Sequence, residues 1–312
     1  MQIYVGITDY KWFQFLKKNK ADEVNFWKPG SQPFKALQEN DLFLFKLHAP
    51  QNYIVGGGYF VKYSLLPTYL AWEAFGEKNG TASLTELNNA IERYRAKNNI
   101  VIQNPQIGCI ILTDVFYFDE QDWIPAPENF SRSIVQGKRY YTENADGLRL
   151  FQEVQERLQS LGIGQPVSDH LNIDPGTQDE RYRESMTKHR LGQGAFRVIV
   201  TDAYHRRCAI TGEKTLPVLE AAHIKPYTAE GPHSVNNGLL LKSDFHTLFD
   251  GGYITIDQDY RIDVSRRLYE DYGNGRDYYK YKGEKLLILP EKTIELPSIE
   301  YLRWHNENVF LA

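Results

Sequence analysis

The sequence predicts an α+β protein of two domains. Its 312 residues exceed the usual size of a single globular domain. Short β-branched and aromatic runs dominate the first half, whereas the last third combines two short apolar runs with a short helix. Between them lies GIGQPVSDHLNIDPGTQDE, whose Gly, Pro and Asp content is typical of a linker. We therefore place domains at residues 1–160 and 178–312, joined by a linker at 161–177.

Composition limits the class of protein. A hydrophobic share of 42% and a charged share of 24% suit a chain that buries a core. No stretch approaches the roughly 20 apolar residues of a membrane span, and the first residues lack a signal-peptide pattern, so we expect a cytoplasmic protein without membrane contact. With only Cys109 and Cys208, neither a disulfide framework nor a four-cysteine zinc site can form. Any metal must then be held by His, Asp or Asn.

A basic run precedes the strands of the second domain. The net charge of −4 argues against indiscriminate coating of nucleic acid, but a local basic face is enough for DNA binding. Between Arg181 and Arg207, seven basic residues accompany two acidic ones. A solvated helix face explains this run equally well. If this region binds DNA, we expect contacts from Arg197, Arg206 and Arg207 of the run and from Lys225, which follows the first predicted strand of the second domain.

The first domain is predicted to be a compact sheet or barrel. Its strand-like runs are MQIYVGI, DLFLFKL, YIVGGGYFV and IGCIILTDVFYF. Helical spacing relates Leu84, Leu87, Ile91 and Tyr94, and a second amphipathic helix at 150–161 closes this half of the chain. The domain is therefore predicted to contain both a sheet and helices.

The second domain is predicted to fold in the order strand, loop, strand, helix. The segment TLPVLEAAHIKP indicates a strand that ends near His223, and GLLL indicates a second short strand after an irregular loop. Ser243 can cap a short helix, DFHTLFD, which Gly251 and Gly252 end.

That short helix carries a candidate metal site. His246 and Asp250 are four residues apart and project from one face. Such a pair can hold one divalent ion and leaves positions for water and phosphate, which suits Mg²⁺. His223 could deprotonate a water beside the phosphate, and Asn237 could orient His223 by accepting its ring N–H. Taken singly, these residues are more often core or surface groups; their joint order favours a site.

The segment CAITGEKTLPVLEAAHIKPYTAEGPHSVNNGLLLKSDFHTLFDGG resembles the HNH, or ββα-metal, endonuclease motif of bacterial restriction-type nucleases. With the flanks RLGQGAFRVIVTDAYHRRCAITG and LRWHNENVF, the resemblance covers roughly residues 178–312. It implies that His223 is the general base, Asn237 the middle asparagine and His246 the metal-binding final histidine. Asp250 matches a position where some members place a further ligand. The implied activity is one-metal hydrolysis of a phosphodiester.

Two features depart from that family. Many members carry Asp or His directly before the base, where this chain has Ala222. The metal shell must then be thinner, or completed by a group such as Glu220 or His233. Many members also hold the motif together with two CxxC zinc pairs, of which only Cys208 is present here. The core of the domain must stabilise the fold instead.

The segments FWKPGSQPFKAL, NDLFLFKL, YIVGGGYF and AWEAFG look like the small β-barrel group of PUA, EVE and SRA-type modules. The resemblance implies an N-terminal PUA-like β-barrel with helices that flips a modified base into an aromatic pocket; in bacterial restriction enzymes such modules are fused to HNH domains. Trp27 with Asn25 or Lys28, and Trp72 with Tyr59, are the candidate pocket residues. Most aromatic residues of this kind belong to the core in any protein, so the choice among them stays open.

Three functions are compatible with these features. The first is a modification-dependent restriction endonuclease that reads modified cytosine, such as the 5-methyl or 5-hydroxymethyl form, in double-stranded DNA. The alternative is an HNH endonuclease indifferent to modification, with a structural or protein-binding first domain. A DNA-binding protein with an inactive nuclease fold, suggested by Ala222, is disfavoured by the intact His223, Asn237 and His246. We expect Mg²⁺, or else Mn²⁺, as cofactor, and a homodimer, because one HNH site cuts one strand.

Overall fold

The computed structural model describes residues 1–97, 106–162 and 191–312. The chain divides into two compact units, Met1–Ala195 and Phe196–Ala312. Within the described ranges, no helix combines the length and the apolar character needed to cross a membrane.

Two features predicted from the sequence lie outside the described residues. The predicted linker, 161–177, does so from residue 163 onward. Part of the basic run does so as well: Arg181, Arg183, Lys188 and Arg190.

One mixed sheet organises the unit Met1–Ala195. Its strands are β1 (Gln2–Thr8), β2 (Val24–Lys28), β3 (Leu42–Leu47), β4 (Tyr53–Pro67), β5 (Gln106–Tyr117), β6 (Ile124–Pro125) and β7 (Gly137–Tyr141). Its described helices are α1 (Tyr10–Lys18), α2 (Thr68–Phe75), α3 (Leu84–Lys97) and α4 (Ala145–Ser160). The four predicted strand runs form β1, β3, β4 and β5, and the two predicted helices form α3 and α4.

The sheet is open, so the closed barrel expected from the sequence is wrong. The strand order is β2-β5-β4-β3-β1-β7, with β6 paired to β4. Strands β1 and β3 pair in parallel, and the other pairs of the sheet are antiparallel. Closure would require β2 and β7 to pair, but these two strands of five residues each stand at opposite ends of the order.

Apolar residues cover both faces of this sheet. Along β3, Leu42 and Leu44 belong to one hydrophobic cluster, whereas Phe43 and Phe45 belong to the other. This division follows from the alternation of side chains along a strand. The first cluster includes the apolar side of α4, with Phe151 among its buried residues. Because both faces are covered, every residue of β3 is buried.

The unit Phe196–Ala312 contains two small antiparallel strand pairs and several helices. The strands are β8 (Leu219–His223), β9 (Gly238–Lys242), β10 (Ile254–Ile256) and β11 (Ile262–Val264), paired β8 with β9 and β10 with β11. The helices are α5 (Gln193–Ala203), which leads into the unit, α6 (Ser243–Asp250), α7 (Arg267–Tyr272), α8 (Arg276–Tyr279) and α9 (Ile299–Asn308). The predicted order of strand, loop, strand and helix is confirmed by β8, β9 and α6.

The ends of α6 differ in detail from the prediction. The N-cap residue is Lys242, which makes no side-chain cap hydrogen bond, and Ser243 is already helical. The predicted cap by Ser243 is therefore wrong: β9 runs straight into the helix and leaves no residue between them to act as a separate cap. At the other end Gly251 is the C-cap, and Gly252 follows with a left-handed φ of 75°.

A buried histidine of α9 holds α6 in place. The His305 ring stacks on Phe249 with centroids 3.8 Å apart and planes 12° from parallel. Its Nε2 lies 3.0 Å from the Phe249 carbonyl oxygen, and its Nδ1 lies 2.8 Å from the Thr255 hydroxyl. Burial lowers the pKa of His305 to about 4, although the Phe249 carbonyl and Asp250 oppose this shift. The ring is therefore neutral in the folded protein at neutral pH.

The neutral state of His305 predicts acid-sensitive stability. The folded pKa of about 4 lies below the ordinary value of 6.5, so the unfolded chain binds a proton first as the pH falls, and the folded state loses stability from about pH 6.5 downward. This one residue should lower the free energy of unfolding by about 2 kcal/mol between roughly pH 7.5 and pH 5. Urea unfolding at both pH values should show this extra loss in the wild type but not in His305→Phe, which keeps a ring but cannot titrate. Equal losses in both proteins would contradict the prediction.

Candidate functional site

The pairing of β8 with β9 brings the candidate residues into one small region. The register sets His223 opposite Gly238 and Glu220 opposite Leu241. Because β9 continues directly into α6, that helix packs against both strands. His246 of α6 thereby reaches the side chain of Glu220 on β8.

Both ring nitrogens of His246 face carboxylates. Nδ1 lies 2.6 Å from Oε2 of Glu220, and Nε2 lies 3.2 Å from Oδ2 of Asp250. Burial alone would lower the pKa of His246, but the hydrogen bonds and charges of Asp250 and Glu220 outweigh it and raise the pKa above its ordinary value. The predicted placement of His246 and Asp250 on one helix face is confirmed, and Glu220 is an additional partner.

His223 lies in a different environment. Its ring stacks on Phe196, with centroids 3.9 Å apart and an interplanar angle of 12°. Its Nε2 is 2.9 Å from Nδ1 of His233. Burial lowers the pKa of His223 to about 4; His233 and His246 lower it as well, whereas Asp250 opposes the shift. The ring is therefore neutral near neutral pH, which is the state a general base requires.

Gly238 makes the stacking on His223 possible. A Cβ atom at this position would lie 2.5 Å from Cγ2 of Val200 and 3.1 Å from Cζ of Phe196. Only glycine lets α5 approach the strand this closely. The fully buried Tyr204 also fixes the backbone of Gly238, since its hydroxyl donates to the Gly238 carbonyl oxygen over 3.1 Å.

Asn237 fixes the loop between β8 and β9. Its Oδ1 accepts from the backbone N–H of Lys225, and its Nδ2 donates to the carbonyl oxygens of Lys225 and Pro232, each over 2.9 Å. The side chain is fully buried. The predicted hydrogen bond from the His223 ring to Asn237 is therefore wrong, because the loop backbone uses both ends of the amide. The His223 ring contacts His233 instead.

Helix α6 offers two side chains, His246 and Asp250, as ligands for one metal ion. Among the described residues, no group of three or more His, Cys, Asp or Glu side chains could hold a metal ion. Nε2 of His246 and Oδ2 of Asp250 are 3.2 Å apart. Two ligands at right angles, each about 2.1 Å from Mg²⁺, are about 3 Å apart. The pair thus fits a hard divalent ion that takes its other ligands from water and phosphate.

The predicted DNA contacts all have protein neighbours. Arg206 pairs with Asp202 over 3.1 Å, and Nε of Arg207 donates to the Gly212 carbonyl oxygen over 3.4 Å. The ammonium group of Lys225 lies 5.8 Å from the centroid of the Trp304 ring. Arg197 is half-buried on α5. The four residues Arg197, Arg206, Arg207 and Lys225 remain predictions as DNA contacts.

Two of the candidate pocket residues in the first unit are interior residues. Asn25 is fully buried, and its Nδ2 donates to Oδ1 of Asn79 over 2.8 Å. Tyr59 is 3% exposed, and burial raises the pKa of its hydroxyl. Neither side chain reaches the surface, so their assignment to a base pocket is corrected: Tyr59 belongs to the hydrophobic cluster of Leu42 and Leu44, and the Asn25 amide is held by Asn79.

The other candidates are half-buried. The indole N–H of Trp27 donates to the Asn79 carbonyl oxygen over 3.1 Å, which fixes the ring. The Lys28 ammonium lies 5.9 Å from the centroid of the Phe34 ring. Trp72 is half-buried on α2. Trp27, Lys28 and Trp72 therefore keep surface that a ligand could contact.

The sequence did not predict the aromatic contacts of His223 and His233. Phe196 lies in the apolar run AFRVIV, where core packing is the ordinary expectation, and nothing in the sequence pairs it with His223. Tyr227 is 64% exposed, yet its ring lies parallel to that of His233, with centroids 5.0 Å apart. Only the folded loop brings these residues together.

Comparison with protein families finds a match at this site. Residues 208–257 match the HNH_2 family, described as HNH endonuclease. The matched segment contains β8, β9 and α6 together with His223, Asn237, His246 and Asp250. It is an HNH endonuclease domain, and the chain is a DNA endonuclease. Enzymes with this domain typically depend on a divalent metal.

Comparison with solved structures gives low similarity. The ASCH protein from Zymomonas mobilis and a mutant of it are each 10% identical to this chain, with a TM-score of 0.31. Each alignment covers 48% of this chain; it covers 94% of the ASCH chain and 96% of the mutant chain. A modification-dependent restriction endonuclease, TagI, is 13% identical with a TM-score of 0.27, over 93% of this chain and 76% of that chain. No curated protein matches the sequence. At these TM-scores the similarities carry no conclusion about fold or function.

Proposed function

We propose that this chain is a modification-dependent restriction endonuclease that cleaves double-stranded DNA containing modified cytosine. The observation that carries the cleavage part of the proposal is the arrangement around α6: a neutral His223 held by aromatic and imidazole contacts, beside a His246–Asp250 pair suited to a divalent ion. One HNH site cuts one strand, so cutting both strands requires two sites, and we propose a homodimer acting in the cytoplasm.

In the proposed reaction His223 is the general base. Its neutral ring accepts a proton from the attacking water. His246 and Asp250 would hold Mg²⁺, or else Mn²⁺, which would supply Lewis-acid polarisation of the scissile phosphate. Glu220 bonds the opposite ring nitrogen of His246 and so orients the ring with Nε2 toward Asp250. Asn237 would contribute indirectly, because its hydrogen bonds to the backbone of Lys225 fix the loop that follows His223.

We propose that the first domain, residues 1–160, reads the modified base. The support is its resemblance to base-flipping modules and the half-buried Trp27, Lys28 and Trp72. The Trp27 indole N–H is used by Asn79, so the ring is fixed before any ligand arrives. A ring held in advance loses less freedom on binding, which favours stacking with a flipped base. The nuclease domain, residues 178–312, would then cut nearby.

A second candidate is an HNH endonuclease indifferent to modification. The interior positions of Asn25 and Tyr59 favour it, because they remove two polar groups that could have read the edge of a base. In that case the first domain has a structural or protein-binding role. The two candidates share the same cleavage site and differ only in their choice of DNA.

The metal assignment predicts a change in metal requirement. Asp250→Ala removes one of two proposed ligands, so cleavage should vanish or need far more Mg²⁺. Glu220→Ala removes only the group that orients His246, and we expect a loss of roughly 10- to 100-fold in metal affinity or activity. Asp244→Ala, which changes another carboxylate of α6 and breaks its ion pair with Lys242, is the matched control and should leave the metal requirement unchanged. Metal titration of the cleavage rate measures all three. An unchanged requirement in Asp250→Ala would remove that residue and favour Glu220 as the ligand.

The proposed recognition of modified cytosine predicts that binding and cleavage differ among duplexes of one sequence that carry different forms of cytosine. One duplex is prepared with unmodified, 5-methylated or 5-hydroxymethylated cytosine, and binding and cleavage by the full chain are measured for each. We expect a preference for a modified form, and Trp27→Ala or Trp72→Ala should erase most of it, because a lost stacking ring costs about 1–3 kcal/mol per base, or roughly 5- to 150-fold in affinity. Circular dichroism must show that each variant is folded, since even a half-buried tryptophan contributes to packing, and loss of a fully buried one costs about 3–5 kcal/mol of stability. Equal binding and cleavage of all three duplexes would support the second candidate instead.

A further inference from the structure

The loop between β8 and β9 places a second histidine against the proposed base. Nδ1 of His233 lies 2.9 Å from Nε2 of His223, and the two rings meet at 62° with centroids 4.9 Å apart. His233 has no assigned role in the reaction described above. The contact nevertheless occupies one of the only two nitrogens through which His223 can exchange a proton.

Both rings are held from outside the contact. Phe196 stacks on His223 with centroids 3.9 Å apart, and Tyr227 lies parallel to His233 within 9°. The loop itself is fixed by Asn237, which binds Pro232, the residue directly before His233. Packing and hydrogen bonds thus determine the relative position of the two imidazoles.

A single hydrogen atom occupies the contact when both rings are neutral. If Nε2 of His223 carries it, His233 accepts, and Nδ1 of His223 keeps a free lone pair. If Nδ1 of His233 carries it, Nε2 of His223 accepts, and the hydrogen of His223 lies on Nδ1 instead. In this second arrangement neither nitrogen of His223 can take a proton from water without losing the contact. The tautomer at this contact therefore decides whether His223 can act as a base.

We propose that His233 is a positioning residue: its Nδ1 accepts the Nε2 hydrogen of His223 and leaves Nδ1 of His223 as the basic nitrogen that faces the attacking water. The proposal rests on the proposed role of His223 as general base. His233 acts through His223, as a carboxylate or carbonyl does when it fixes the tautomer of a histidine in other sites.

The tautomer can be observed without DNA or metal. Full-length protein labelled with ¹⁵N at histidine gives two-bond ¹H–¹⁵N correlations that distinguish a protonated Nε2 from a protonated Nδ1. The His223 signals are assigned by their loss in His223→Ala. We expect a hydrogen on Nε2 and a free lone pair on Nδ1 in wild-type His223. A hydrogen on Nδ1 would overturn the proposal, whatever DNA the enzyme cuts.

Two substitutions at His233 distinguish the effect of its hydrogen-bond acceptor from the effect of its aromatic ring. His233→Phe keeps a ring against Tyr227 but cannot accept a hydrogen bond, whereas Oδ1 in His233→Asn can accept near the position of Nδ1. We expect kcat to fall roughly 10- to 100-fold in His233→Phe, with KM and the metal requirement unchanged. His233→Asn should recover most of that loss.

Each other outcome has a defined meaning. Wild-type kcat in His233→Phe would overturn the proposal, and a raised metal requirement in both variants would make His233 a metal ligand instead. Thermal unfolding of each variant is the control for folding. If His233→Phe fails to fold, the tautomer of His223 in the wild type still decides. Failure of the modified-cytosine proposal would leave these results unchanged, because both readouts can be obtained with any DNA that the enzyme cuts.

Discussion

The three hydrogen bonds of the buried Asn237 amide hold the loop on which the rest of the site depends. An amide left unpaired in the interior would cost about 1–3 kcal/mol for each lost group, so the loop has one strongly favoured arrangement. That arrangement sets His233 against His223 at the end of β8. It also keeps β8 and β9 in the register that carries α6 back over both strands. In the proposed mechanism, the asparagine therefore contributes geometry, and the histidines contribute the chemistry.

Two histidines within one small domain have opposite properties. Burial, His233 and His246 lower the pKa of His223 to about 4. The carboxylates of Asp250 and Glu220 raise the pKa of His246 in spite of its burial. Environments that push titratable groups apart in this way separate their roles. In the proposed mechanism, the neutral ring of His223 is the base, and the ring of His246, held between carboxylates, binds the metal once it has lost its proton.

Local spacing was sufficient to predict part of this site, and long-range contacts determined the rest. The separation of four residues between His246 and Asp250 predicted a shared helix face, and the run LEAAHIKP predicted the strand that ends at His223. The partner of the His223 ring depends on how a loop of irregular sequence folds, which spacing does not specify. Similarly, alternating apolar runs predicted the strands of the first unit, but closure of a sheet depends on whether its outermost strands meet, and β2 and β7 do not. Asn25 has a polar side chain, yet it lies in the interior, where its Nδ2 donates to Oδ1 of Asn79.

The central claim is that His223 activates the water that cleaves DNA at this HNH site. The most direct measurement is the single-turnover rate of DNA cleavage with Mg²⁺ for the wild type, for His223→Ala and for His205→Ala, the last being an exposed histidine of the same unit. We expect His223→Ala to lose about 10²-fold or more in rate, the scale of general-base removal, with DNA binding and thermal stability near those of the wild type. His205→Ala should cut at the wild-type rate. Cleavage by His223→Ala at a rate near the wild type would contradict the claim.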